Sequence, residues 1–336
     1  MGSGRASRAA GSARLAGVAA VALGVVAALA VLSVCVGART VPPAEVLRAF
    51  TDYAGTDDHV VVRDVRGPRT LLAVGVGAAL AVAGALVQTL TRNPLAEPGV
   101  LGVTFGAGFA IVVAQAAWEA DSTAAQLVAA CLGAGVATVL VYAVGRGSPV
   151  RLLLAGVALS SVLSGVSLGI RLLRPDAFDS YRFWSVGSLA GREQQPLLLA
   201  LAVVGLALLG TALVSRALAA LALGEQVART LGAHVLRTRV LVVVLTTVLA
   251  GAATAVAGPI AFVGLIVPHL ARRLARGSVP WLLLLSALLG PSLLLGSDVL
   301  GRLLLPTGEV PVAIVTAFLG GPALIWVVRR YGAVAL

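Results

Sequence analysis

Long apolar runs separated by short polar stretches dominate the pattern along this chain. Runs of about 20 residues match the length that a helix needs to cross a hydrocarbon core of roughly 30 Å. Charged residues, Pro and Gly delimit ten such runs, so the pattern predicts an all-α, polytopic membrane protein with ten transmembrane helices. The predicted spans are 15–36, 70–90, 99–116, 124–145, 152–173, 197–214, 240–257, 259–274, 281–300 and 310–328.

The first apolar run follows Arg5, Arg8 and Arg14, an arrangement that is also typical of a secretory signal peptide. The run 15–36 is longer than the 7 to 15 apolar residues of a signal. It is therefore interpreted as the first span, with 1–14 as a cytoplasmic tail and 15–336 as a single membrane domain.

The eighth run begins at Pro259, directly after Gly258. Proline has no backbone N–H and interrupts the helical hydrogen-bond ladder. The pattern therefore leaves two readings open for this part of the chain, a full span or a re-entrant half-helix.

The composition, in which 59% of the residues are hydrophobic, also bears on how transport could be driven. All 25 positive charges are arginine, so the chain contains no lysine. A Walker A loop needs a lysine on the nucleotide phosphates. A chain without lysine cannot carry that loop, so any ATP hydrolysis would belong to another subunit.

The net charge of +11 raises the question of nucleic-acid binding, which the distribution of charge answers. With the N-terminus inside, the ten-span arrangement places fifteen arginines and two acidic residues on the cytoplasmic side, and ten arginines and twelve acidic residues outside. Cytoplasmic loops of membrane proteins carry an excess of Arg and Lys. The asymmetry predicts a multi-pass protein of the bacterial cell membrane with both termini cytoplasmic, and it accounts for the charge without nucleic acid.

Signatures of catalysis and metal binding are absent from the sequence. It contains no HExxH motif and no GxSxG nucleophile elbow, because the one GxSxG match, GVSLG at 165–169, lies inside an apolar run rather than at a strand-to-helix turn. Cys35 and Cys131 lie in apolar runs, where thiols behave as small hydrophobes. No catalytic residue, metal site or cofactor bound by this chain is predicted.

Carboxylates are also missing from the centres of the predicted spans. The nearest acidic residues, Glu97, Asp298 and Glu309, lie at span ends. Ion-driven carriers usually need an intramembrane carboxylate. The pattern therefore disfavours a self-sufficient secondary carrier, although that reading and a membrane scaffold without transport both stay open.

The stretch 223–239 is a long polar interruption in the apolar pattern, and 215–239 is predicted to be a cytoplasmic coupling region. Leu223, Val227, Leu231 and Val235 recur every four residues. This spacing predicts a short cytoplasmic helix-turn-helix with its turn at Gly232. An amphipathic segment that lies on the membrane surface is the alternative.

Two further stretches admit a plain reading and a functional one. Residues 91–102, with two prolines and two glycines, form either a simple turn or an inner loop that closes over a helix N-terminus. Arg63, Arg66 and Arg69 recur at steps of three beside a span, where arginine side chains ordinarily snorkel towards headgroups.

Several blocks of this sequence resemble the permease subunits of type II ABC importers, the iron-siderophore, haem and cobalamin permeases often called the FecCD family. The resemblance extends from Arg66 to Arg330. It implies ten helices per subunit, a second permease subunit as a homodimer or heterodimer partner, two cytoplasmic ATPase subunits that bind ATP and Mg, and an extracytoplasmic binding protein. The blocks are TRNPLAEPGVLGVTFGAG, RLLLAGVALSSVLS, FWSVGSLAG, LALGEQVARTLG, AGPIAFVGLIVPHLAR and EVPVAIVTAFLGGPALIWVVRR.

The resemblance also implies roles for individual residues. One set would sit in a groove on the ATPase as a coupling helix, a second would pair with glutamates on the binding protein, and a third would form the inner gate. In that order the sets are Gly224, Glu225, Ala228, Arg229, Leu231 and Gly232; Arg66, Arg69 and Arg302; and Asn93 and Leu95.

One departure from the family pattern is Gly67, which stands in RGPR where many members have RLPR. Glycine loosens the backbone between the arginines while it leaves their charges in place. The substrate expected from family frequency is a ferric siderophore, with haem and cobalamin as alternatives.

Overall fold

The computed structural model describes residues 3–37, 39–118, 122–145, 149–191, 197–305 and 307–331. Within these ranges all regular secondary structure is helical. A π-helical turn at Val61–Arg66 precedes α4, and a 3-10 turn at Pro98–Leu101 precedes α5. The α-helices are α1 Ser3–Cys35, α2 Pro43–Thr51, α3 Asp57–Val60, α4 Gly67–Thr91, α5 Val103–Trp118, α6 Thr123–Val144, α7 Pro149–Leu173, α8 Pro175–Ser185, α9 Leu197–Ala222, α10 Glu225–Thr230, α11 Val235–Ala257, α12 Val263–Ala275, α13 Val279–Leu303 and α14 Val312–Tyr331.

Each predicted apolar run coincides with a helix, but ten membrane spans are not confirmed. Seven helical segments in the described residues are long and apolar enough to cross a membrane, those of α1, α4, α6, α7, α9, α11 and α13. The other three runs correspond to the shorter apolar parts of α5, α12 and α14. At 1.5 Å per residue, the 13 residues of α12 extend about 20 Å, well short of the hydrocarbon thickness.

Helix α4 lies at the centre of the molecule, with almost all of its length buried against α9, α11, α12 and α13. Its many Ala and Gly residues explain this position, because small side chains let helix backbones approach closely. A Cβ atom added to Gly84 would lie 1.8 Å from the carbonyl oxygen of Gly264 on α12. The backbones of α4 and α12 are therefore in direct contact.

The course of the backbone around Pro259 shows where the helix is interrupted. Helix α11 ends at Ala257, Gly258 has a φ of 76°, and Phe262 has a φ of 70° before α12 begins at Val263. Residues 258–262 are therefore a non-helical break followed by a short helix. We call α11, this break and α12 together the broken helix.

The two ends of the bundle differ in what they carry. Arg66, Arg69 and Arg302 lie together where α4 begins and α13 ends, and we call this the arginine end. At the other end of α4, Leu90 packs beside a small cluster of Leu221, Ala228 and Val235 around α10, and we call this the α10 end. The connection predicted at 38–69 contains α2 and α3, and the connection at 174–196 contains α8, with 38 and 192–196 outside the described residues.

Helix α7 is the least buried of the long apolar helices of the single chain. Leu154, Val157 and Val162 on this helix are exposed. Its apolar surface is therefore free to contact lipid or another membrane chain.

Candidate functional site

A cavity of about 610 Å³ lies between α5, α7 and the broken helix. Its walls are mainly apolar, and its hydroxyl groups come from Thr104, Ser160, Ser161, Ser164 and Thr254. A space of this size, with scattered hydroxyls and one carboxylate, suits weak contact with a bulky solute better than tight coordination of a single ion.

The break at 258–262 contributes Pro259, Ile260 and Ala261 to the wall of this cavity. Non-helical backbone at membrane depth leaves peptide groups without helical partners, so it occurs only where protein or a water-filled cavity surrounds it. The break therefore forms part of the cavity wall.

Glu97 is the one charged side chain among the residues that line the cavity. It lies in the connection 92–102 between α4 and α5, outside both helices, and its Oε1 accepts a hydrogen bond from the Phe262 backbone N–H at 3.2 Å. Burial raises the pKa of this carboxyl, and the Phe262 hydrogen bond opposes the rise in pKa.

The two residues that the resemblance assigns to the inner gate lie in the same connection. The Asn93 side-chain oxygen accepts from the Leu95 N–H at 2.9 Å and fixes the turn locally. Leu95 borders a small cavity shared with Leu265 and Ile266 of α12 and Trp326 of α14. This geometry sets Leu95 against two other helices, while its role as a gate remains a prediction.

The polar stretch 223–239 forms the short helix α10, a turn, and the beginning of α11. Gly224 and Gly232 have φ values of 113° and 78°, so both ends of α10 use backbone conformations that favour glycine. The predicted turn lies at Gly232, but the second helix is the first part of the long α11 rather than a separate short one.

The residues assigned to coupling divide into inward-facing and outward-facing groups. Ala228 is fully buried, and Glu225 pairs with Arg239 of α11 and lies 3.9 Å from Arg229. Leu231 is 64% exposed, and the Arg229 side chain is 72% exposed. The inward group attaches α10 to the bundle, and the outward group offers an apolar and basic surface at the α10 end.

The three arginines assigned to docking lie together but are buried. Arg69 forms ion pairs with Asp298 at 2.8 Å and with Glu309 at 2.7 Å, and Arg302 also pairs with Asp298. Asp298, placed at a span end by the sequence, is 2% exposed and shared by two arginines. Its pairing with Arg69 crosses 229 positions of the chain and left no local signal in the sequence.

Arg66 and Arg302 also bind the C-terminal carbonyl groups of α1. Arg66 donates to the carbonyl oxygens of Val34 and Cys35 at 2.9 Å, and Arg302 donates to that of Ser33 at 2.7 Å. The last carbonyls of a helix lack intrahelical partners and carry partial negative charge. The two arginines therefore cap α1.

The internal contacts of these three arginines limit their availability to a binding protein. Arg66, Arg69 and Arg302 are between 6% and 8% exposed, so an arriving protein meets little of them in this conformation. Docking through them remains a prediction. Arg39, Arg48 and Arg63 are exposed near these three buried arginines.

No group of three or more His, Cys, Asp or Glu side chains with metal-binding geometry occurs among the residues that the structure describes.

Comparisons with known proteins agree with this geometry. The model of the FecCD transport family matches residues 25–330. The ferric enterobactin transport system permease protein FepD of Escherichia coli K12 is 46% identical over 304 residues, covering 89% of this chain and 91% of FepD. The hemin transport system permease protein HmuU of Yersinia pestis is 38% identical over 276 residues, covering 80% of this chain and 82% of HmuU.

A solved structure titled as an inward-facing conformation of a metal-chelate type ABC transporter superposes with a TM-score of 0.83. It is 28% identical, and the match covers 94% of this chain and 99% of that chain. The matched family, the permease relatives and the shared fold lead to one conclusion: this chain belongs to the FecCD transport family of ABC importer permeases.

Proposed function

We propose that this chain is the membrane subunit through which a ferric siderophore enters the cytoplasm. The observation that carries the proposal is the cavity of about 610 Å³ between α5, α7 and the broken helix, in a chain 46% identical to a ferric enterobactin permease. A wide lining with few polar groups lets a large chelate pass without being held.

The energy for import comes from ATP hydrolysis, with its Mg, on two separate cytoplasmic subunits. This chain has no lysine with which to build a Walker A loop. The exposed side chains of α10, with Leu231 and Arg229 outermost, provide the surface that these subunits contact. Closure of the ATPase pair moves α10, and α10 moves the bundle as a rigid body.

The proposed membrane orientation is the one that the distribution of arginine along the sequence favours. The α10 end faces the cytoplasm with both chain termini, and the arginine end faces the exterior. In this arrangement α5, α12 and α14 join the seven longer helices as shorter crossings, which makes ten. A second permease subunit, identical or closely related, covers the exposed face of α7 and closes the pathway.

An extracytoplasmic binding protein delivers the chelate at the arginine end. Exposed Arg39, Arg48 and Arg63 make the first contacts, because accessible charges act mainly on encounter rate and orientation. Arg66, Arg69 and Arg302 lie beneath them and engage partner carboxylates only if their internal pairs rearrange.

Uptake measurements in a deletion strain test which substrate this chain imports. Cells that lack this chain are supplied in turn with radiolabelled ferric siderophores, haem or cobalamin, with and without a plasmid copy of the chain. We expect the plasmid to restore uptake of at least one ferric siderophore. Restoration of haem uptake alone would transfer the assignment to the haem class, to which the HmuU similarity also points.

A further inference from the structure

Gln88 of α4 is 1% exposed and uses its whole side-chain amide to bind α12. Its Nε2 donates to the carbonyl oxygens of Gly264 and Leu265, both at 3.2 Å. Its Oε1 accepts from Arg272 at 3.0 Å. One side chain therefore holds both the first and the last turn of α12.

Pro268 explains why the Gly264 carbonyl needs an outside donor. In an α-helix the carbonyl of residue 264 accepts from the N–H of residue 268, and proline has none. An unpaired buried carbonyl is costly. The Gln88 amide supplies the missing donor where Gly84 and Gly264 bring the two backbones into contact.

A second attachment joins α12 to the connection beyond Gln88. Phe262 is the N-cap of α12, and its N–H donates to Glu97. Negative charge is favourable at a helix N-terminus, where backbone N–H groups lack intrahelical partners. The start of α12 is thus attached to α4 through Gln88 and to the connection through Glu97.

These two attachments lie on either side of Asn93 and Leu95 in the chain. We propose that Gln88 and Glu97 are positioning residues, Gln88 fastening α12 to the end of α4 and Glu97 fastening it to the connection 92–102 that follows, so that α12 and the connection move as one unit when the inner end of the pathway opens. The transport consequence rests on the proposed function. The fastening itself is a property of this chain and can be measured without transport.

Hydrogen exchange on the full-length chain in lipid nanodiscs measures the fastening directly. In Gln88→Met, which keeps the length but loses the hydrogen bonds, we expect exchange of the amides in both 262–267 and 93–97 to rise roughly fivefold, as for loss of an ordinary hydrogen bond. The control is Thr246→Val, which removes a buried hydroxyl without a hydrogen-bond partner on α11 and should leave both segments unchanged.

A compensating variant separates fastening from general damage. In Gln88→Met with Pro268→Ala, the new N–H at 268 can serve the Gly264 carbonyl, so exchange in 262–267 should return towards the native rate. The proposal would be overturned if Gln88→Met raised amide exchange equally over α4, α12 and α13 and if adding Pro268→Ala did not lower it. That result would mean that Gln88 acts only in general packing.

Hydrogen exchange in variants of Glu97 tests the second attachment. This test can be done even if Gln88→Met fails to fold. Glu97→Gln retains an oxygen that accepts from Phe262 and should exchange like the native chain. Glu97→Leu should raise exchange in both segments. A rise confined to one segment would contradict their movement as one unit.

Uptake of the ferric siderophore identified in the deletion strain gives the transport readout. We expect Glu97→Leu to slow uptake severalfold and Glu97→Gln to preserve it. If the native chain imports no siderophore, the proposed function fails while the exchange result still decides the fastening. If uptake in Glu97→Leu equals the native rate, the fastening has no part in transport.

Discussion

At the scale of single residues, Asp298 is the buried carboxylate that links two of the three arginines at the arginine end. Its carboxylate is shared by Arg69 and Arg302, and Arg302 in turn caps α1. A buried carboxylate held by two cations is destabilising to remove, because the cations then lack compensation. Asp298 therefore joins α4 to α13 and, through Arg302, to α1.

Asp298→Asn should lower the free energy of unfolding by about 3 kcal/mol, the usual cost of breaking a buried ion pair from one side. Thermal unfolding in detergent measures this effect as a lower Tm. Glu309→Gln is the matched control, because Glu309 is 37% exposed and an accessible pair contributes about 1 kcal/mol or less. Equal losses in both variants would contradict a special role for Asp298.

The sequence placed Arg66, Arg69 and Arg302 on one side of the membrane but could not show their burial. Steps of three within VRDVRGPRT are also typical of a solvent-facing edge. Their partners, Asp298 and the α1 carbonyls, are distant in the chain, and only tertiary packing brings them together. Gln88 was missed for a related reason, because a lone Gln in an apolar run carries no local signal of the Gly264 carbonyl to which it donates.

At the scale of elements, the position of the helices follows from the apolar pattern, whereas their lengths do not. Each apolar run gave a helix because internally satisfied backbone is required in lipid. The run 197–214 extends as α9 to Ala222, since Ala and Leu continue the helix beyond the strongest hydrophobic stretch. The break before α12 follows from Gly258 and Pro259, whereas its extent, 258–262, is visible only in the backbone.

The surface of α10 gives a prediction at this scale. Leu231→Asp places a charge on a side chain that is 64% exposed in the single chain, so folding should be retained. We expect loss of co-purification with the ATPase subunits, because an unpaired charge in the centre of an apolar contact is costly. Gel filtration of the complex after affinity capture measures the ATPase retained.

Leu47→Asp is the matched control for this variant, since Leu47 on α2 is 65% exposed at the opposite end. It should retain the ATPase fully. Loss of the ATPase from both variants, or from neither, would count against α10 as the contact surface.

At the scale of the whole molecule, the chain has a cavity between two ends of different character. The α10 end offers an exposed apolar and basic surface, and the arginine end combines a buried ionic cluster with exposed arginines above it. Between them, the broken helix and the connection 92–102 meet beside the cavity. A protein built in this way can transmit force from one end while it alters a passage in the middle.

The central claim is that transport through this chain is driven by ATP hydrolysis on partner subunits. It is tested most directly by uptake of a radiolabelled ferric siderophore into proteoliposomes that contain the permease and its ATPase, with the loaded binding protein outside and ATP inside, on the α10 side. We predict uptake only when ATP and the ATPase are both present, with no response to a proton or sodium gradient. Uptake by the permease alone, driven by an ion gradient, would contradict the account.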